Sequence, residues 1–402
     1  MMWSFCMRVI SRVVAATMGG IVAFGAAPAA SSAAAPDWEA PFACGSEWSA
    51  GTRDGHSPTW YSVDFNGADD QGQPVLATAG GRVTGVRDYG DSSYGKHVIV
   101  DHGGGYSSLY AHLDATWVVE GQWIDQGDFI GLLGTTGGSS GPHLHFEENL
   151  DGVNQHAWFH GEKLQYGTTI RARGCGDVPA VGDWNGDRVT DLGVMRRSAS
   201  PAFRNRLPDK TVAVVKLGGP TDLAVTGDWD GDGVDDVGVW SRLDKAFVLR
   251  SQTGALTEIK MGTVKDVPVT GDWDGDGRTE VGIFRPAKGA FRLRAADGSI
   301  LRTLFGMASS APVTGDWDGD GRTDLGVYEQ GTGTWQLRSS LTGAITTVEE
   351  GGRNRLPVTG DWNGDGITDV GTWAPATATF VLRTGPAQRQ RITEQFGRKR
   401  VR

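Results

Sequence analysis

Five side chains in the first half of this 402-residue chain are of the types that bind and use a metal ion. His143 and His145 flank a leucine, and residues two apart on a β-strand project from the same face. Upstream lie His112 and then His56, which Asp64 follows eight positions later. Zinc prefers imidazole nitrogen and carboxylate oxygen, and a catalytic zinc site has three protein ligands and one open position. Two histidines and one aspartate would fill such a site, and two histidines would remain for the reaction.

Short β-type runs separated by glycine contain or adjoin most of these residues. The runs cover 74–79, 81–87, 97–101, 106–112, 129–134 and 143–147. No stretch from 36 to 176 has a sustained helical period. The pattern predicts an all-β fold class, with an antiparallel sheet and glycine-rich turns over residues 36–176.

The order of these residues resembles the lysostaphin/LytM-like family of peptidoglycan zinc metalloendopeptidases. The resemblance covers about residues 50–160. The residues that carry it are His56, Asp64, His112-Leu113 and His143-Leu144-His145, together with the glycine-rich turns between 121 and 141. Many members place the aspartate four residues after the histidine. The gap of eight positions here is typical of the β-lytic branch, which residues 60–65 also resemble.

The resemblance implies a metallopeptidase domain with a substrate groove and one catalytic Zn²⁺. By position, His56, Asp64 and His145 would hold the zinc, and His112 and His143 would flank the attacking water. We favour His143 as the general base and His112 as the partner of the oxyanion, although the sequence leaves their order open. Any single histidine could be a core or surface residue, whereas the whole set in family order indicates a peptidase.

A unit of about 45 residues repeats from residue 177 onward. The string Gly-Asp-Trp begins at Gly182, Gly227, Gly271, Gly315 and Gly360, at intervals of 44 or 45 residues. Each copy contains three or four short strand-like runs, which is typical of a β-propeller blade. We therefore predict a C-terminal β-propeller-like domain of five blades over residues 177–402. An open array of repeats is the alternative.

Each Gly-Asp-Trp copy opens a loop with oxygen-bearing side chains at positions 1, 3, 5 and 9. In chain order these residues are Asp183, Asn185, Asp187 and Asp191; Asp228, Asp230, Asp232 and Asp236; Asp272, Asp274, Asp276 and Glu280; Asp316, Asp318, Asp320 and Asp324; and Asp361, Asn363, Asp365 and Asp369. Four loops have glycine at position 6, and the first has Arg188 there. Alternating oxygen ligands around such a glycine match the start of an EF-hand loop, where the chain turns around Ca²⁺.

These loops resemble the FG-GAP/VCBS type of integrin-like propeller repeat. The resemblance implies several Ca²⁺ ions with a structural role. Arg188 is expected to weaken the first site, because it adds a positive charge and a side chain at the turn. The alternative is a set of Asp turns without a cation, held by hydrogen bonds from the backbone to the side chains.

The first 35 residues predict a secretory signal peptide. Arg8 and Arg12 precede a mostly apolar stretch over 13–30, and small residues over 29–35 offer a cleavage zone. A short membrane anchor is the alternative. Cys44 and Cys175 would remain after cleavage, at the two ends of the first domain, and are expected to form a disulfide in an exported protein.

Together these features predict a secreted, extracellular zinc metalloendopeptidase that hydrolyses peptide bonds in bacterial peptidoglycan. The repeat domain would bind a glycan or a protein ligand. Either kind of ligand would keep the protein associated with the cell wall. The net charge of −10 gives no support for nucleic-acid binding, and no membrane partner is expected after signal cleavage. The alternative is a non-catalytic protein whose peptidase-like domain only grips peptidoglycan, but the complete ligand set favours the enzyme.

Overall fold

Antiparallel β-sheet accounts for nearly all regular structure in the computed structural model, which describes residues 35–173, 176–198, 200–384 and 389–399. Within these ranges the single helix is a 3-10 turn at Pro286–Lys288, and no helix there is long and apolar enough to cross a membrane. The predicted all-β fold class is confirmed. Residues 1–34, which hold nearly all of the predicted signal peptide, lie outside the described residues.

Thirteen strands make up the N-terminal domain. They are β1 (Glu47–Gly51), β2 (Val63–Asn66), β3 (Pro74–Leu76), β4 (Gly81–Asp88), β5 (Lys96–Gly103), β6 (Tyr106–Thr116), β7 (Trp123–Ile124), β8 (Phe129–Leu133), β9 (Leu144–Leu150), β10 (Val153–Gln155), β11 (Trp158–Phe159), β12 (Glu162–Lys163) and β13 (Thr168–Arg171). Eleven of them form one sheet, whose main order is β13-β1-β2-β9-β6-β5-β4-β7. In this sheet β10 lies beside β9, and β8 pairs with both β3 and β6.

Side-chain alternation along the central strands separates an apolar face from a polar one. Val63 and Phe65 in β2 and Phe146 in β9 are fully buried in the core of the domain. Asp64 and His145 alternate with them and therefore project from the opposite face. The sheet thus buries its apolar residues on one side and can carry a polar site on the other.

Twenty strands form five four-stranded sheets, each running in chain order. The blades are β14 (Asp177–Pro179), β15 (Gly193–Arg196), β16 (Ala202–Arg206) and β17 (Val212–Lys216); β18 (Leu223–Gly227), β19 (Asp236–Ser241), β20 (Ala246–Arg250) and β21 (Leu256–Lys260); β22 (Val267–Gly271), β23 (Glu280–Arg285), β24 (Ala290–Arg294) and β25 (Ile300–Leu304); β26 (Ser310–Gly315), β27 (Asp324–Glu329), β28 (Thr334–Arg338) and β29 (Ile345–Glu349); and β30 (Leu356–Gly360), β31 (Asp369–Ala374), β32 (Thr379–Thr384) and β33 (Gln390–Gln395). The predicted five-blade arrangement is confirmed.

The same hydrogen bonds join successive blades around the ring. The backbone N–H of the first aspartate in a loop donates to a threonine Oγ1 of the next blade at 2.9–3.0 Å; the pairs are Asp228–Thr279, Asp272–Thr323 and Asp316–Thr368. The last blade joins the first in the same way, since the Asp361 N–H donates to Thr190 Oγ1 at 2.9 Å. The Thr190 N–H also donates to the Asp361 carbonyl oxygen at 2.7 Å. The ring is therefore closed, and the open array is excluded.

Hydrophobic cores lie between blades as well as within them. Trp240 and Phe247 of the second blade pack with Val281 and Ile283 of the third, and all four are buried. A single repeat could not cover these apolar side chains alone. The repeats consequently depend on their neighbours for stability.

One junction departs from the repeated pattern. Asp235 occupies the position that threonine holds in the other four blades, and its Oδ2 accepts the Asp183 N–H at 2.7 Å. Burial raises the pKa of Asp235 to about 7. The ionised carboxylate is thus disfavoured in the folded ring relative to the unfolded chain. This lowers the free energy of unfolding, and the loss reaches its full size only above about pH 7.

We expect Asp235→Thr to raise the free energy of unfolding by about 1 kcal/mol, because it removes a half-buried charge and keeps an acceptor oxygen at the junction. Denaturant unfolding at pH 8, in the presence of a calcium chelator, measures the change. The control is the reverse substitution, Thr279→Asp, at the next junction, which should destabilise the ring. Equal shifts of the same sign in both variants would contradict this account of the junction.

Polar contacts attach the N-terminal domain to one end of the ring. Arg197 lies 3.3 Å from Asp128, and the Gln330 amide donates to Asp125 Oδ1 at 2.7 Å. Arg197 and Gln330 each follow the second strand of a blade, whereas the acidic loops precede that strand. The N-terminal domain therefore docks at the end of the ring opposite the acidic loops.

Candidate metal centre and active site

Three neighbouring strands bring the predicted site residues together. Asp64 in β2 lies directly opposite His145 in β9, and His145 lies opposite Ala111 in β6, next to His112. Opposed residues in an antiparallel pair have Cβ atoms about 4.5–5.5 Å apart, so their side chains meet. His143 was expected on the same strand as His145, but β9 begins one residue later, and His143 forms an isolated bridge with Gly134.

Three ligand-type atoms converge on the polar face of the sheet. His56 Nε2 lies 3.0 Å from Asp64 Oδ1, and His145 Nδ1 lies 3.3 Å from the same oxygen. The two imidazole nitrogens are 3.1 Å apart. Tetrahedral zinc with bonds of about 2.0–2.1 Å separates its ligand atoms by about 3.3 Å. These buried residues can therefore hold a metal ion, and their spacing fits zinc.

The charge state of the cluster also suits a cation. Burial works against ionisation of Asp64, but His143, His145 and His56 together lower its pKa far below the usual value. Burial likewise works against a charged His145, but Asp64 and Glu147 outweigh it and raise its pKa. The site thus holds an ionised carboxylate among imidazole rings. A bound cation would take the place of the imidazole protons that point toward this carboxylate.

The other two histidines present basic nitrogens toward the same space. His143 Nδ1 lies 2.9 Å from the Gly141 carbonyl oxygen, and His112 Nδ1 lies 2.8 Å from that of Thr136. A carbonyl oxygen only accepts, so each neutral ring carries its proton on Nδ1 and leaves Nε2 as a base. His143 Nε2 is buried, makes no hydrogen bond and lies 3.5 Å from Asp64 Oδ1. Burial, together with His143, lowers the pKa of His112 to about 4, which keeps this ring neutral.

A local irregularity in β6 turns His112 into the site. In a regular strand His112 would share the face of Tyr110, which is fully buried in the core. His112 instead has a φ of 62°, and the pairing of β6 with β5 shifts register beside it. Its ring centroid lies 4.7 Å from that of His143. Bulges of this kind re-aim side chains next to active sites.

Comparison with known families covers the part of the chain that carries this site. The model of Peptidase family M23 matches residues 59–157. Residues 59–157 form an M23 peptidase domain. The match includes Asp64, His112, His143 and His145. It begins three residues after His56, which the folded chain places beside Asp64 and His145.

Curated relatives of the M23 domain match over short segments. DD-carboxypeptidase/endopeptidase Mpg of Neisseria meningitidis serogroup B is 44% identical over 90 residues, which is 22% of this chain and 20% of that protein. Peptidoglycan DD-endopeptidase ShyB of Vibrio cholerae is 39% identical over 95 residues, which is 23% of this chain and 22% of that protein. The matched segment thus spans about a fifth of each relative.

Among solved structures, a zinc-containing peptidase from Vibrio cholerae aligns with 26% identity and a TM-score of 0.25. The alignment covers 33% of this chain and 41% of that one.

Further polar residues of the N-terminal domain support the site and were not predicted. Glu147 Oε1 lies 3.0 Å from His145 Nε2, and Thr52 Oγ1 lies 3.1 Å from His56 Nδ1. Glu147 could have been found from its position two residues after His145, because the strand places both on one face. No such local signal marks Thr52, because the loop that brings it to His56 has no regular period.

The acidic loops of the propeller bring carboxylates together in three blades. The groups with ligand atoms within 4.8 Å of one another are Asp228, Asp230 and Asp236; Asp272, Asp274, Asp276 and Glu280; and Asp316, Asp318 and Asp320. Asp232 and Asp324 are not in these groups. Over the described ranges, the first and fifth loops form no such group of acids, and each has an asparagine at position 3.

The hydrogen bonds within the loops are compatible with both interpretations of the loop sequence, a Ca²⁺ site and an Asp turn without a cation. In the second loop, Asp228 Oδ1 accepts the Gly231 N–H at 2.6 Å, and its Oδ2 accepts the Gly233 N–H at 2.8 Å. The other loops repeat these bonds. These bonds describe an Asp turn, and they involve the first aspartate of each loop and not the other ligand-type side chains.

Self-repulsion is evident at the last position of these loops. Burial and neighbouring aspartates raise the pKa of Asp191 and Asp236 to about 6 each. The same causes raise the pKa of Glu280 to about 7. These three loops would therefore gain from a cation that neutralises their carboxylates.

Proposed function

We propose that this protein is a secreted zinc metalloendopeptidase that hydrolyses peptide bonds in bacterial peptidoglycan. The observation that carries the proposal is the convergence of His56, Asp64 and His145 beside the unpartnered Nε2 of His143, within an M23 peptidase domain. The names of its relatives, which include peptidoglycan DD-endopeptidases, support the substrate class.

The zinc ion would supply a Lewis acid that polarises the scissile carbonyl and makes water nucleophilic at neutral pH. His56, Asp64 and His145 hold the ion. His143 accepts the proton of the attacking water at Nε2, because the Gly141 carbonyl holds the proton of the neutral ring on Nδ1 and Nε2 makes no hydrogen bond. The ring that takes this proton becomes a donor and can deliver it to the leaving amine. His112, whose Nε2 faces the same space, is the proposed partner of the developing oxyanion. Its ring is neutral at rest, so it would take up a proton from solvent as negative charge develops beside it.

The remaining features belong to the same proposal. Structural Ca²⁺ ions would occupy the loops of the second to fifth blades, with a weaker site in the first loop beside Arg188.

Cys44 is disulfide-bonded, whereas its proposed partner Cys175 lies outside the described residues. The propeller would bind wall glycan or a protein and so retain the enzyme at the cell wall.

Digestion of purified cell walls tests the proposal. The zinc-loaded protein is expected to lower the turbidity of the wall suspension and to release muropeptides with new amino termini, whose identification gives the bond that is cut. His143→Ala is the matched control and should bind walls without releasing termini. Wall binding by the zinc-loaded wild-type protein without new termini would instead support a non-catalytic peptidoglycan-binding protein.

A further inference from the structure

A chain of hydrogen bonds lies behind His145, on the side away from the other ligand atoms. His145 Nε2 lies 3.0 Å from Glu147 Oε1, and Tyr94 OH donates to the same oxygen at 2.6 Å. The Asn149 amide donates to Glu147 Oε2 at 3.3 Å. Glu147 is only 3% exposed. A buried carboxylate is costly unless it is hydrogen-bonded, and these groups satisfy it from three directions.

The arrangement combines a local and a distant contribution. Residues 145, 147 and 149 lie two apart on β9 and share one face. Tyr94 comes from the turn before β5, 53 residues from Glu147, and its ring centroid lies 5.5 Å from that of His145. The tyrosine therefore covers the Glu147–His145 contact as well as bonding to it.

A carboxylate at Nε2 decides which nitrogen of a neutral imidazole carries the proton. Glu147 only accepts, and its oxygen is nearer to Nε2, at 3.0 Å, than the Asp64 oxygen is to Nδ1, at 3.3 Å. The proton therefore stays on Nε2, and the Nδ1 lone pair is left for a metal ion. In the other tautomer, the Nε2 lone pair would face the Glu147 carboxylate, so that two acceptors would oppose each other. That tautomer would also place a proton on Nδ1, at the metal position. His145 Nδ1 is the atom that faces Asp64 and His56.

We propose that Glu147 and Tyr94 are positioning residues of the metal centre. Glu147 sets the tautomer and orientation of His145, and Tyr94 holds Glu147 in place. The inference rests on the proposed metal centre but not on the reaction that the centre performs, so it can be tested by metal binding alone.

Glu147→Gln, which keeps the shape and removes the charge, is expected to weaken zinc binding about 10–100-fold. Tyr94→Phe, which removes only the hydroxyl, should cause a smaller loss in the same direction. Competition with a chromophoric chelator measures both affinities on the full exported chain. The control is Tyr110→Phe: the Tyr110 hydroxyl is buried and bonds to Thr78 and Ser108. This variant should lower stability and leave zinc affinity unchanged.

Ring nitrogen NMR shifts of His145 in the zinc-free protein report the tautomer directly. At alkaline pH, where the ring has lost its second proton, the remaining proton is expected on Nε2 in the wild type and shared between the two nitrogens in Glu147→Gln. Unchanged zinc affinity and an unchanged tautomer in Glu147→Gln would overturn the inference. If Glu147→Gln does not fold, wild-type zinc affinity in Tyr94→Phe would overturn the role of the tyrosine. Full zinc content in His145→Ala would instead refute the proposed metal centre.

Discussion

His145→Ala is expected to remove zinc and to abolish wall hydrolysis. Three ligands hold the proposed ion, and the loss of one should exceed the 10–100-fold effect that is typical of an outer partner. His143→Ala is expected to keep its zinc and to lose about 10²–10⁴-fold in rate, because the ring acts on a proton and not as a ligand. Elemental analysis of zinc per chain and the rate of release of new amino termini from cell walls separate the two effects.

A third histidine provides the control for these variants. His156 lies in the N-terminal domain, as His143 and His145 do, and its ring packs between Tyr61 and Tyr166. His156→Ala is expected to retain both zinc and activity. If His143→Ala lost zinc as readily as His145→Ala, the assignment of the zinc ligands would be wrong.

Calcium is expected to raise the melting temperature of the propeller by more than about 10 °C. An ion that binds only the folded form adds about 2.7 kcal/mol per site at a hundredfold excess over its Kd. In a domain of this size each kcal/mol corresponds to about 2–4 °C, and several sites in one closed ring add together. Thermal melting of the zinc-loaded protein, with calcium and then with a calcium-selective chelator, gives the shift.

Asp274→Asn distinguishes a cation site from an Asp turn. Asp274 is exposed and belongs to the largest of the three acidic groups, with Asp272, Asp276 and Glu280. The variant should lose part of the calcium-dependent shift and should melt no lower than the wild type in chelator, because it relieves repulsion among the carboxylates. Asp297→Asn, in an exposed turn outside the loops, should alter both conditions equally. Equal melting temperatures of the wild type with and without calcium would leave the loops as Asp turns.

The features predicted best are those encoded in neighbouring residues. The five-blade ring follows from the 44- or 45-residue spacing of Gly-Asp-Trp, because each copy carries its own strands and turn. The M23 domain was predicted from a family resemblance that His112-Leu113 and His143-Leu144-His145 carry, and the residues within each of these motifs are neighbours in the sequence. Both predictions required only short-range patterns.

Other parts of the site depend on contacts between distant residues. The sequence pattern alone would have placed His112 on the same face as Tyr110, in the core, and only the register shift between β5 and β6 turns it toward His143. The Glu147–Tyr94 bond likewise joins positions 53 residues apart. Register and bulges arise from the balance of whole strands, so no short pattern reveals them.

Residue types and their spacing were enough to identify the candidate ligands, the candidate base and the acidic loops, because the chemistry of imidazole and carboxylate is local to each side chain. Geometry was decided by the folded chain. His56 Nε2 meets His145 Nδ1 across 89 residues, and Asp361 closes the ring onto Thr190 across 171 residues. Such distances are set when strands pair and hydrophobic cores pack, and these steps depend on the whole sheet and not on any one segment.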